Sequence, residues 1–427
     1  MTRLKVRAKA TLEKTMAGIT IKISGDSARK FTGYLALPPA GRGPGLVLCQ
    51  EIFGVNAFVR KMADLYAEEG YVVLAPDFFW RQEEGIELEP DEPSIKHAMR
   101  LLEGVRDEDA VSDLNAALTV LRRRPELDGQ CGVVGFCLGG KFAYLAATHT
   151  DAAISIGYYG VGIEDLLDRA DHLKSKLVLH FAGNDAFCDE SARAKIFAAL
   201  QQQKNASLYV YPGVDHAFAR FASPHFDKRA SALAHDRSIA ALRRTLGPDF
   251  DLEVLWERHL QLEFEVRDAD ATMATMVSEP YVNHIPTMTG GVGYTSLRRF
   301  YQHHFIHANP PDTRQIPISR TVGATQIVDE VLFCFTHTCE IDWLLPGVSP
   351  TARYVEIPLV GIVKFRGDKL CHEHIYWDQG SVLAQIGLLD AEHFPVAGIE
   401  TARKVMDETL PSNTLMKRWA KSAPDAP

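Results

Sequence analysis

Cys131-Gly132-Val133-Val134-Gly135-Phe136-Cys137-Leu138-Gly139-Gly140 is the stretch on which the reading of this 427-residue chain turns. It opens as a short apolar run of strand length and passes, after Gly140, into a helical pattern that reaches residue 147. A nucleophilic side chain flanked as Gly-x-Cys-x-Gly between a strand and a helix is the mark of a nucleophile held on a sharp turn. The neighbours two positions either side must be tiny, because the strand end and the first helical turn almost touch there. The helix N-terminus leaves its first amides unpaired, so the Leu138 N–H is placed to meet an oxyanion forming at Cys137.

Working outward, residues 45–49 and 71–75 read as two further buried strands, the first followed by a helix over 57–69 that Gly70 ends. A long helical pattern covers 94–123, and strands are read at 152–156, 176–181 and 207–211, with a helix over 228–246. Apolar strands alternating with helices indicate a mostly parallel sheet covered on both faces. In such a sheet ligands bind beyond the carboxyl ends of the strands. Two of those ends carry chemistry. Leu177-Val178-Leu179-His180-Phe181 runs into Ala182-Gly183-Asn184-Asp185, and residues 207–211 run into Pro212-Gly213-Val214-Asp215-His216. The order nucleophile, acid, histidine makes Cys137, Asp185 and His216 a candidate triad of the α/β-hydrolase type. Asp189 rivals Asp185 as the acid but is placed to cap a helix. Asp215, His149, His225 and His235 read as surface residues.

Composition narrows the function. Apolar residues make up 46% of the chain and charged residues 24%, an ordinary globular balance. A net charge of −9 argues against nucleic acid as a partner, which needs a clustered basic face. The one dense basic run, Leu121-Arg122-Arg123-Arg124, falls at a helix end, where cations suit the dipole. Arg3, Lys5, Arg7 and Lys9 precede no apolar stretch, so no export signal is read. No apolar run reaches the roughly 18 residues of a membrane span. Seven scattered cysteines, an odd number without a Cys-x-x-Cys pair, fit a reducing, cytoplasmic setting. A small-molecule substrate is expected, with no cofactor, no metal and no membrane partner.

The motifs of the first half resemble the dienelactone hydrolase (carboxymethylenebutenolidase) family over about residues 15–246. The resemblance rests on Gln50-Glu51-Ile52-Phe53-Gly54, Ala75-Pro76-Asp77, residues 135–140, Gly183-Asn184-Asp185 and His216-Ala217-Phe218-Ala219-Arg220. It implies hydrolysis of a small ester or lactone, as in the degradation of aromatic compounds, through a thioester on Cys137. It also implies that Glu51 keeps the Cys137 thiol protonated until an anionic substrate draws Arg220 away. Ile52 would supply the second oxyanion amide beside Leu138, and Arg81 and Arg220 would bind the substrate carboxylate. Two departures bear on the substrate. Ala217 stands where family members often carry serine, and residues 82–93 are acidic, with Glu83, Glu84, Glu87, Glu89, Asp91 and Glu92.

Leu246-Gly247-Pro248-Asp249 breaks the alternation, which divides the chain into domains at 1–247 and 252–415. Residues 252–305 then look helical with interruptions, and strands are read at 321–329, 331–341, 354–366 and 369–377. Helices followed by long strands make an α+β order. With Arg267-Asp268-Ala269-Asp270, Tyr281-Val282-Asn283-His284 and Glu373-His374-Ile375-Tyr376-Trp377-Asp378, this half resembles the SnoaL-like branch of the NTF2-like family, α+β cones that enclose a pocket and often pair as homodimers. His284, Glu340, Asp342 and His374 are the candidate pocket residues. His372-x-His374 alone is a weak metal pattern. The tail 422–427 is expected to be disordered.

Overall fold

A computed structural model describes residues 18–24, 30–419 and 422. The basic N-terminal residues and positions 423–427 of the tail lie outside the described residues. The chain divides into two compact units, Met1–Asp249 and Phe250–Pro427.

The first unit is an eight-stranded sheet. Its elements in chain order are β1 (Ile19–Ser24), β2 (Lys30–Ala36), β3 (Gly43–Cys49), α1 (Ala57–Glu68), β4 (Val72–Pro76), α2 (Glu92–Glu103), α3 (Asp107–Arg122), β5 (Leu127–Phe136), α4 (Leu138–His149), β6 (Ile154–Tyr158), β7 (Lys176–Ala182), α5 (Glu190–Leu200), β8 (Ala206–Tyr211) and α6 (Lys228–Leu246). The strand order is β1-β2-β4-β3-β5-β6-β7-β8. The pairs β1–β2 and β2–β4 are antiparallel and all others are parallel.

The continuous apolar runs are explained by two cores, one on each face. Alternate residues divide between them. Val47, Cys49, Val72, Leu74, Val133 and Leu179 pack under α3, α4 and α5. Leu46, Leu48, Val73, Val134 and Val178 pack under α1 and α6. Two features differ from the sequence reading. The segment 94–123 is two helices, because Gly104 closes α2 and Asp107, Glu108 and Asp109 start α3 with acids at its positive end. The two antiparallel strands β1 and β2 were not anticipated.

The second unit contains α7 (Leu252–Leu260), α8 (Ala269–Ala274), β9 (Met276–His284), β10 (Thr289–Val292), α9 (Tyr294–Phe300), β11 (Arg314–Val322), β12 (Gln326–Thr336), β13 (Tyr354–Arg366), β14 (Lys369–Trp377), α10 (Gln379–Gln385) and α11 (Glu400–Met406). A wide π turn extends α7 through Gln261–Val266 and another extends α9 through Tyr301–Phe305. The six-stranded sheet runs β10-β9-β14-β13-β12-β11, antiparallel except for β14–β9. The strands read at 354–366 and 369–377 are β13 and β14.

Three expectations need correction here. The supposed helical stretch 252–305 contains the β9–β10 hairpin, whose close pairing requires Gly290: a Cβ there would sit 2.1 Å from the Val282 oxygen. The strand read at 321–329 is two strand ends around a reversal at Gly323. The strand read at 331–341 stops at Thr336, so His337, Glu340 and Asp342 lie in the loop beyond it.

Candidate active site

Cys137 sits between β5 and α4 with φ 55° and ψ −113°, a backbone region that L residues rarely occupy. The turn is held by Cys137 N–H to the Tyr158 oxygen at 3.0 Å and Gly140 N–H to the Cys137 oxygen at 2.9 Å. The glycines are there for space. A Cβ at Gly135 would lie 1.9 Å from the Gly139 oxygen, and one at Gly139 would lie 2.3 Å from the Cys49 oxygen.

His216 Nδ1 donates to Asp185, with 2.9 Å to Oδ2 and 3.1 Å to Oδ1. Asp185 is buried, and its Oδ1 also accepts from the Phe187 N–H at 2.9 Å. Asp189 caps α5 through the Ala192 N–H and takes no part. Burial would lower the His216 pKa. The coupling of the ring to the Cys137 sulfur and to the Asp185 carboxylate outweighs it and raises the value to about 10. The imidazole is therefore coupled to the sulfur on one side and the carboxylate on the other. Two rings fix its plane edge-on, Tyr159 at 5.0 Å and Phe187 at 4.9 Å between centroids. Sequence reasoning missed both. Tyr159 follows β6 at the same carboxyl edge of the sheet, which was the available clue; its φ of 39° adds a second strained position beside the site. Phe187 leaves 66% of its surface exposed.

Glu51 and Arg220 meet close to His216 and Tyr159. Glu51 is 2% exposed, and Arg220 Nε stands 3.5 Å from its Oε2, an ion-pair contact longer than a good hydrogen bond. Both Glu51 oxygens and Arg220 Nε and Nη1 are buried without a hydrogen-bond partner of good geometry. Burial pushes the Glu51 pKa up, and the charges of Arg220 and His216 and the nearby Tyr159 hydroxyl partly offset it. Arg220 also lies over the Phe53 ring, 5.2 Å from its centroid. The pair is loosely joined.

Arg81 differs. Both of its terminal nitrogens bond to Asp113, and it stacks on Trp80 at 4.3 Å. The acidic segment after it is also partly neutralised: Glu87 pairs with Arg60, Glu83 with His97, and Asp91 caps α2. Ala217 is fully buried at φ 64°. His149 lies against Thr148, while His225 and His235 pair with Asp215 and Glu69.

The expected pocket of the second unit is only partly assembled. His284 is buried and lines a cavity of about 50 Å³, but Glu340, Asp342 and His374 are absent from its lining. Glu340 is exposed, and Asp342 pairs instead with His304 Nδ1 at 3.0 Å. His374 falls on the opposite face of β14 from Glu373, with its ring 4.1 Å from that of His372. The acids that do line this cavity, Glu263, Asp329 and Glu373, were not anticipated as its lining. The spacing His259-x-x-x-Glu263, one helical turn, was the missed clue. Among the described residues no group of three His, Cys, Asp or Glu side chains is placed to hold a metal ion, and no helix is long and apolar enough to cross a membrane.

A cysteine on a strained strand-to-helix elbow, with a histidine–aspartate pair from two later strand ends of a mostly parallel sheet, defines the class as an α/β-hydrolase. Comparison with known proteins agrees over the first unit. The Dienelactone hydrolase family model matches residues 31–246. A carboxymethylenebutenolidase of Pseudomonas sp. (strain P51) is 38% identical over 228 residues, which is 53% of this chain and 94% of that protein. Carboxymethylenebutenolidase 1 of Cupriavidus pinatubonensis is 35% identical over 229 residues, 53% of this chain and 97% of that protein. The crystal structure of a putative dienelactone hydrolase from Klebsiella pneumoniae is 27% identical with a TM-score of 0.47, covering 52% of this chain and 98% of that one. The chain belongs to the dienelactone hydrolase family and is a carboxylic-ester hydrolase.

Proposed function

We propose that the first unit hydrolyses a small ester or lactone through a thioester on Cys137. The observation that carries this reading is His216, hydrogen-bonded to Asp185 at 2.9 Å and electrostatically coupled to Cys137. A substrate carboxylate pairs with Arg220, and Glu51, released from that contact, takes the thiol proton. The sulfur attacks the carbonyl carbon while the amides of Ile52 and Leu138 receive the oxyanion. Collapse breaks the C–O bond, and the His216 imidazolium protonates the leaving oxygen. Neutral His216 then takes a proton from water, whose oxygen attacks the thioester. The sulfur leaves, and Glu51 returns its proton. Tyr159 and Phe187 position the imidazole.

Cys137→Ala is expected to lower kcat on a dienelactone by at least about 10³-fold while the melting curve stays two-state. Full turnover by that variant would overturn the reading.

The tie between Arg81 and Asp113, with the missing hydroxyl at Ala217, favours a second substrate range within the same chemistry: esters or thioesters with one carboxylate or none. Relative kcat/KM on a dienelactone, an aryl ester and an acyl thioester separates the two. We read the second unit as a SnoaL-like (NTF2-like) module that pairs two chains into a homodimer; a monomer by sedimentation would contradict that pairing. A cytoplasmic setting accords with this chemistry and is tested by cell fractionation.

A further inference from the structure

The cavity of the second unit has aromatic walls and an acidic end. Trp256, Phe264, Tyr301, Phe305, Phe333 and Trp343 line it, together with Glu263, Asp329 and Glu373. Two of the three carboxylates are answered. Asp329 accepts from Trp256 Nε1 at 2.8 Å and from Arg320 at 3.0 Å through both Nε and Nη2. Glu263 takes the nearer contact of His259 Nε2 at 3.1 Å, while the other ring nitrogen, Nδ1, lies 2.6 Å from the Thr275 hydroxyl.

Glu373 is left over. It is 3% exposed, and its Oε1 has no hydrogen-bond partner, the shared His259 Nε2 standing 3.4 Å away. The two other titratable walls are neutral: burial lowers the His284 pKa to about 4 and pushes that of the Tyr301 hydroxyl, which interacts with Glu263 and Glu373, well up. Around the cavity three carboxyl groups meet two basic side chains, His259 and Arg320, of which Arg320 also pairs with Glu253 and Glu257, and one carboxyl oxygen keeps no donor. Buried acceptors of this kind are costly unless something fills them.

We propose that this cavity is a binding site for a small organic ammonium ion that donates an N–H to Glu373 Oε1 and rests its cationic head against the aromatic walls. The aromatic faces attract such a cation, and its charge pairs with Glu373 once the carboxyl proton has left. An anion is disfavoured by the same three carboxylates, so carboxylic acids released in the first unit are not ligands here. A metal ion fits poorly, since the acids do not converge on one point.

Without ligand, burial pushes the Glu373 pKa up even though His259 pulls it down, which favours the protonated acid. Glu263 on the π turn after α7 adds to that rise, and burial opposes the charge of His259 on α7 less strongly than Glu263 and Glu373 favour it. Binding of an ammonium ion ionises Glu373 and expels its proton. Affinity consequently increases as pH rises through neutrality.

The test is calorimetric titration of the full chain with n-propylammonium chloride, with 1-propanol, tetramethylammonium and magnesium chlorides as comparisons. Propylammonium binding is expected to tighten by about tenfold from pH 6 to pH 7, to release about one proton, and to weaken at least about tenfold in Glu373→Gln. Propanol, tetramethylammonium and Mg²⁺ are expected to bind at least about tenfold more weakly. The pH profile is read on the unaltered chain, so it stands even where Glu373→Gln fails to fold. No propylammonium binding, equal binding of any comparison ligand, or an affinity that is flat or falls with rising pH would overturn the proposal.

Discussion

The two units bury acids in opposite ways. In the first, the functional groups stand at strand ends, and close backbone approach holds them: Gly135 and Gly139 let β5, β3 and α4 nearly touch beneath Cys137. In the second, Glu263 and Glu373 project inward from an irregular helix and a strand into an aromatic hollow, and no tight turn positions them. The first arrangement fixes geometry through the backbone and tolerates loosely paired acids such as Glu51. The second relies on side-chain packing and leaves one oxygen of Glu373 without a donor. The lesson is that a reaction needing one sulfur at one place is tied to main-chain geometry, whereas a cavity can be shaped by packing alone.

This contrast predicts where each unit is fragile. Gly135→Ala brings a methyl group to 1.9 Å from a main-chain oxygen that cannot swing aside. It is expected to destabilise the first unit by at least about 3 kcal/mol, measured by denaturant unfolding followed through turnover. A loss under about 1 kcal/mol would mean the elbow is not backbone-locked.

Trp256→Phe tests the other side. It keeps the aromatic wall but removes the N–H to Asp329, which Arg320 still holds. The expected cost is about 1–2 kcal/mol, with ester turnover unchanged. A drop in turnover would show that the sites are not independent.

The dependence on pH sharpens the comparison further. His216 has its folded-state pKa raised to about 10, above the ordinary value near 6.5. Its stabilising contribution is therefore complete below about pH 6.5 and lost as pH rises through about 10. The stability difference between the unaltered chain and Asp185→Asn is expected to be largest near pH 6 and to shrink towards pH 10, read from melts across that range. A difference that grows with pH would contradict the coupling.

The smallest effect is expected at Phe187. Its ring is mostly exposed, so Phe187→Ala should change stability by no more than about 0.5 kcal/mol. The imidazole loses one of its two edge contacts, and kcat is expected to fall about two- to fivefold with the profile of kcat against pH shifted. An unchanged profile would make Phe187 a surface residue only.

Much of the first site was legible in the sequence because its chemistry is local to turns. Residues 135–140 announce the elbow, and Asp185 and His216 each close a strand that its apolar run reveals. Glu51 and Arg220 became meaningful only through family resemblance, since neither belongs to a self-evident motif. Tyr159 was invisible because its role comes from a ring edge reached across the sheet.

The second site was mostly illegible. His372 and His374 drew attention as an alternating pair, yet strand alternation sends them to one face and Glu373 to the other, towards the cavity. Glu340 and Asp342 were assigned to a strand that ends at Thr336. The β9–β10 hairpin escaped notice because residues 252–305 were read as helical with interruptions. Its parallel pairing with β14 is set by tertiary packing rather than by any local pattern.

The central claim is covalent catalysis by Cys137, and the most direct measurement is rapid-quench mass spectrometry of the full chain during turnover of a slowly hydrolysed ester. The account predicts a transient mass increase equal to the acyl group, located on the peptide containing Cys137 and absent in Cys137→Ala. An acyl group on any other residue, or steady turnover with no acyl group on Cys137 at any time, would contradict it.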